Sequence, residues 1–175
     1  PSLFVEGDID VQYLNKAIEL NSEWKTILDE VELKAKNGKG ELSNYWKKRS
    51  HIKEFLQHPL ILLFDSDTNQ IDEDDAPFYK RCVPIQDGNS IIKGIENLFT
   101  DSLIQRAETS ANKKFTIKST PNNDEPEKQE WVVIDNEKKN LADWICTNAT
   151  KDDFAEFEQI FNLVQTVIED YGTTS

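Results

Sequence analysis

Two acids, Asp65 and Asp67, follow directly on the apolar run LILLF at residues 60–64. A carboxylate pair beside an apolar layer costs free energy through desolvation and mutual repulsion, so a compensating positive charge is expected there. A second set has the same form: Glu6 ends the apolar stretch SLFV, and Asp10 follows one helical turn later. Glu96 lies in the stretch KGIENLF at 93–99. Hard carboxylate oxygens of this kind suit Mg²⁺ or Mn²⁺. A pair of such ions ~3.5–4 Å apart is the arrangement used for in-line displacement at phosphorus. The expected metal ligands are therefore Glu6, Asp10, Asp65 and Asp67, with Glu96 added from the context of its motif rather than from a physical rule. Asp10 fits a first-turn charge favoured by the helix dipole equally well, and Asp8 is the expected cap of that helix.

The elements that must carry these acids alternate. SLFV is a short strand, and DVQYLNKAIELN places Val11, Leu14, Ala17 and Ile18 at helical spacing. TILDEVELKA has strand-like alternation, and KNGKG is a turn. ELSNYWKKRSHIKEFLQ is the next expected helix, with Leu42, Trp46 and Phe55 as buried residues. LILLF is apolar on both faces, as in a sheet covered by helices on each side. NQIDEDDAP is an acidic loop, FYKRCVPI a further strand, and NSIIKGIENLF the opening of another helix. This alternation predicts an α/β fold with a parallel sheet and right-handed crossovers. In such sheets ligands gather at the carboxyl ends of the strands, which is where the acids fall. Beyond them, FTIKSTPNNDEPEKQEWVVID reads as a hairpin, and two amphipathic helices follow. Phe154, Phe157, Ile160, Phe161, Val164 and Val167 form one stripe that is best explained as core.

Bulk composition narrows the function. With 37% hydrophobic and 30% charged residues the chain is a soluble, globular type. No apolar run reaches the ~20 residues of a membrane span, and two cysteines are too few for a disulfide framework. A cytoplasmic setting is the expectation. The net charge of −13 excludes binding nucleic acid by bulk charge, since that grip comes from lysine and arginine. Local contacts must supply it, and WKKRSHIK at 46–53 is the densest basic run. His51 and His58 have no zinc-like spacing with Cys82 or Cys146. The start at Pro1, directly before a strand, is what a piece of a longer polypeptide would give.

FVEGDID (4–10) and LLFDSD (62–67) resemble the signature of the Toprim fold, a Glu-Gly after the first strand and an Asp-x-Asp after a later one. Haloacid-dehalogenase phosphatases also carry Asp-x-Asp, but this chain has Asn69 where they have Thr or Val. Within Toprim proteins the chain resembles the overcoming-lysogenization-defect (OLD) nucleases, through VEGDIDVQYL, KGIENLF and KKNLADWI (138–145). The resemblance implies a Toprim catalytic core over residues 1–108, with a β-hairpin and two-helix extension over 109–175 packing on it. It implies a metal-dependent endonuclease acting on nucleic acid, DNA foremost, in defence against phage. Glu6 and Asp65 would be catalytic, with a lysine that is either Lys138 or Lys139. It further implies an ABC-type ATPase in the same longer chain, and leaves room for homo-oligomers built through that ATPase. The reading from another class is a catalytically silent Toprim module that docks an ATPase or a partner protein.

Overall fold

A computed structural model describes residues 1–66, 69–119 and 130–174. Its architecture is α/β. The chain runs through β1 (Ser2–Val5), α1 (Asp8–Leu20), α2 (Ser22–Leu28), β2 (Glu32–Ala35), α3 (Lys39–Lys47), α4 (Arg49–Ile52) and β3 (Leu60–Phe64). Then come β4 (Glu73–Asp75), β5 (Phe78–Cys82), α5 (Asp101–Ala111), β6 (Thr116–Ser119), β7 (Glu130–Val133), α6 (Lys138–Asn148) and α7 (Glu158–Thr174). The main sheet has the order β2-β1-β3-β5-β4. All pairings are parallel except β4 with β5. The strands β6 and β7 form a separate antiparallel hairpin.

Every residue of β3 is buried, as a central strand covered on both faces requires. Alternation splits the apolar side chains between two layers. Leu3, Val5, Ile61, Leu63 and Tyr79 join a large cluster with α1, α2 and the C-terminal helices. Leu60, Leu62, Phe64 and Phe78 face the other way, toward Leu42 of α3, with Phe4, Tyr45 and Trp46 at the margin. The expected stripe of Phe154, Phe157, Ile160, Phe161, Val164 and Val167 is buried throughout, as core. That large cluster takes side chains from Leu3 through to Val167, so the C-terminal helices share one core with the sheet. The expected division after residue 108 falls within α5, whose Leu103, Ile104 and Ala107 lie in this core.

Five local expectations are corrected. TILDEVELKA is not strand throughout: helix α2 extends to Leu28 because Trp24 and Leu28, one turn apart, bury together. Trp24 stacks on Phe161 of α7 with ring centroids 4.5 Å apart. The helix expected over residues 41–57 starts earlier, at Lys39, and breaks at Lys48 into α3, α4 and a 3₁₀ turn at Lys53–Phe55. Phe55 is consequently turned outward and is 81% exposed. NSIIKGIENLF forms only a 3₁₀ turn at Ile95–Leu98, since Gly94 at φ +73° interrupts helical geometry. The true helix, α5, starts after Thr100, whose Oγ1 accepts the Leu103 N–H at 3.3 Å. The acidic segment expected as a solvated loop contains β4, and Gly7, not Asp8, is the N-cap of α1.

The acids of β4 have a structural role. Asp75 accepts from Arg49 and from Lys53, each at 2.8 Å. Glu73 pairs with Lys80 and Asp74 with Arg81, the cations coming from the neighbouring strand β5. Lys80 is buried, so the pairing with Glu73 neutralises a charge that would otherwise be costly in that layer.

Candidate functional site

The strand register brings the acids to one place. In the parallel pairing of β1 and β3, Phe4 stands opposite Leu62, so both strands deliver the residues that follow them to the same end of the sheet. Glu6 and Asp65 meet there, the Asp65 N–H donating to Glu6 Oε1 at 3.1 Å. Asp10 returns from the first turn of α1, and its Oδ2 accepts the Gly7 N–H at 2.8 Å. That contact is half of a capping box, so the charge-at-the-helix-start reading of Asp10 describes a real contact. Burial, opposed by the Gly7 hydrogen bond and reinforced by the charges of Glu96 and Glu6, pushes the Asp10 carboxyl up to about 7.

Glu96 arrives from the 3₁₀ turn Ile95–Leu98 and is itself buried. Its turn is held by the buried amide of Asn97, which accepts the Gln86 N–H at 2.6 Å and donates to the Ile91 carbonyl at 2.6 Å. Gly94 makes room for it: a Cβ at that position would lie 2.5 Å from Glu96 Oε2 and 3.8 Å from Asp65 Oδ2. Lys138, the first residue of α6, completes the group, and its charge draws the Asp10 carboxyl downward.

Glu6, Asp10, Asp65, Glu96 and Lys138 all line one cavity of about 550 Å³. Lys139 is not among its lining residues; its ammonium pairs with Asp143 one turn along α6 at 3.1 Å. Asp67 lies outside the described residues. In the basic run, Arg49 and Lys53 are committed to Asp75, while Lys47 and Lys48 are exposed. The sequence argument missed the segment Lys36-Asn37-Gly38, which also lines the cavity. Strand order places it there, and the local sequence pattern does not carry strand order. β2 is a parallel neighbour of β1, and Val5 opposite Ala35 sets Lys36 level with Glu6.

The donors fit a hard divalent cation in kind: Asp8 and the four expected ligands Glu6, Asp10, Asp65 and Glu96 line one cavity, and the Asp10 carboxyl holds its proton to about pH 7. Among the described residues no three His, Cys, Asp or Glu side chains already stand within reach of a common ion. The backbone contacts of Glu6 and Asp10 hold those two carboxylates back toward the chain. No helix among the described residues is long and apolar enough to cross a membrane. Searches against family models, curated proteins and solved structures find no match to this chain, so residues and geometry alone carry the functional reading.

Proposed function

We propose that this chain is a divalent-metal-dependent endonuclease domain of the Toprim type, hydrolysing phosphodiester bonds of nucleic acid, with DNA the first substrate to test. The observation that carries this reading is the convergence of Glu6, Asp10, Asp65 and Glu96, with Lys138, on one cavity at the carboxyl ends of adjacent parallel strands. Glu6, Asp10, Asp65, Glu96 and Asp67 would hold Mg²⁺ or Mn²⁺. The ion, when bound, supplies Lewis acidity and lowers the pKa of a water. The chain's own groups do the rest. The Asp65 N–H orients the Glu6 carboxylate, the Gly7 N–H orients Asp10, and Asn97 fixes the turn that presents Glu96. Lys138 offers positive charge to a phosphate oxygen as negative charge grows there. The upstream ABC-type ATPase and the phage-defence setting belong to the same proposal.

Supercoiled plasmid incubated with Mn²⁺ or with EDTA tests it. Nicking that EDTA abolishes supports the enzyme. The second reading, a silent Toprim module docking an ATPase or partner, is favoured by the lack of a gathered ligand set among the described residues. A metal-induced rise in melting temperature without nicking would support that module, and the absence of both effects would sink both readings.

A further inference from the structure

Five acidic residues (Glu6, Asp8, Asp10, Asp65 and Glu96) and two lysines (Lys36 and Lys138) are among those that line the cavity. A phosphodiester approaching it meets a negative wall, so the fixed cations decide where a phosphate can sit. Lys138 already has Asp135 at 3.7 Å. Lys36 is held differently. Its ammonium lies 3.9 Å from the centroid of the Phe4 ring and 4.8 Å from that of Tyr45, and it reaches the Tyr45 hydroxyl at 3.4 Å. Its charge is also felt by the exposed Glu32 of β2, a carboxylate that pairs with Lys34 at 2.7 Å.

An ammonium has three N–H donors, and this one offers a single one to the hydroxyl. Aromatic faces attract a cation without accepting its proton or cancelling its charge, so Lys36 keeps both donor capacity and full charge for a further partner. The two rings also restrain a stem that would otherwise lose rotamer freedom on binding. The backbone beneath is anchored as well: the Lys36 N–H donates to the Val5 carbonyl and the Gly38 N–H to the Glu6 carbonyl, both at 2.9 Å. The ammonium is thus positioned from the same strand end that positions the carboxylates.

We infer that Lys36, held on Phe4 and Tyr45, is the substrate-phosphate-binding cation of this cavity, gripping a nucleic-acid phosphate that lies across the carboxylate cluster. The inference rests on the nuclease reading above. It assigns substrate positioning to β2, an element that supplies none of the acids.

The test uses the 175-residue chain and a fluorescein-labelled DNA duplex, with Ca²⁺ as a divalent ion that supports binding without turnover. Lys36→Gln should weaken duplex binding about tenfold at low salt, the scale of one charge-assisted hydrogen bond. The slope of log affinity against log salt should become shallower by about one, as for one lost phosphate contact. Lys36→Arg should recover most of both. Lys36→Met, which keeps an apolar stem against the rings, should behave as Lys36→Gln and guards against a folding defect in either neutral variant. The Mn²⁺-induced rise in melting temperature should persist in all of them. Unchanged affinity and salt slope in the neutral variants overturn the inference, and if the wild-type chain nicks plasmid meanwhile, the nuclease reading stands without it. If the wild-type chain neither binds duplex, nicks plasmid nor responds to Mn²⁺, the nuclease reading fails and this inference fails with it.

Discussion

Asp10 is the residue whose charge state the cavity controls most visibly. Its carboxyl is raised from 3.8 to about 7, first by burial and then by the charges of Glu96 and Glu6. A carboxyl raised in the folded state binds its proton more tightly than in the unfolded chain. Its contribution to stability is therefore fully present below about pH 4 and is lost as pH rises through about 7. Asp10→Asn should flatten the fall in melting temperature between pH 4 and 7 and leave the variant more stable than wild type at pH 8 in EDTA. Thermal melts across that range check this, and an unaltered profile would assign the pH dependence elsewhere. Glu6 needs a gentler change than truncation, because the Asp65 N–H donates to it. Glu6→Gln and Asp65→Asn should each lower plasmid nicking by about 10²-fold or more, on the scale of losing one charge-stabilising group, while both variants still melt cooperatively. Gly94→Ala belongs with them. Its φ of +73° disfavours any side chain, and the new methyl group would displace the Glu96 carboxylate. The melting temperature in EDTA should fall by the equivalent of about 1 kcal/mol, and the gain on adding Mn²⁺ should shrink. Glu6, Asp10 and Asp65 were legible as candidates because strand ends and apolar runs mark where ligands gather, and Glu96 was singled out by the motif context of KGIENLF. Lys36 and Gly94 were not, since their parts depend on strand order and on a left-handed backbone angle.

Among the elements, α2 and α7 depend on each other. α2 is seven residues long, too short to hold its shape without tertiary packing. Its Trp24 stacks on Phe161, which is itself fully buried. Phe161→Ala should cost about 3–5 kcal/mol in urea denaturation, the usual range for deleting a buried aromatic ring. A loss below 1 kcal/mol would show that α2 is held by other contacts. The same pair explains why residues 26–28 are helical although TILDEVELKA alternates: alternation is a local signal, and a contact across 137 positions overrode it at that end, while Glu32–Ala35 form strand β2. The opposite outcome holds for β3, where five consecutive apolar residues left little choice. The stripe was equally readable as core, although Phe154 and Phe157 lie in a 3₁₀ turn over Asp152–Phe157 and only Ile160, Phe161, Val164 and Val167 lie on α7.

Across the whole molecule the net charge of −13 works against a polyanionic substrate. Duplex binding by this chain should be weak and fall steeply between low and physiological salt. Arg49 clamps β4, so the surface test belongs to its exposed neighbours: Lys47→Glu with Lys48→Glu should reduce binding further while leaving the Mn²⁺ response intact. Equal affinity in the double variant would take that face out of the substrate path. The clamp on Asp75 reaches further than local stability. β4 is three residues long and covers the flank of β5, whose backbone would otherwise offer unpaired amides and carbonyls to any passing strand. Lys53 and Arg49 hold the Asp75 carboxyl below its ordinary range, so this contribution is present above about pH 4 and lost as pH falls through the lowered value. Acid should therefore peel β4 away and turn the sheet margin into a template for self-association. Thioflavin fluorescence and light scattering at falling pH should rise together, and Asp75→Asn should show the same growth of fibrils at a pH where the native chain stays clear.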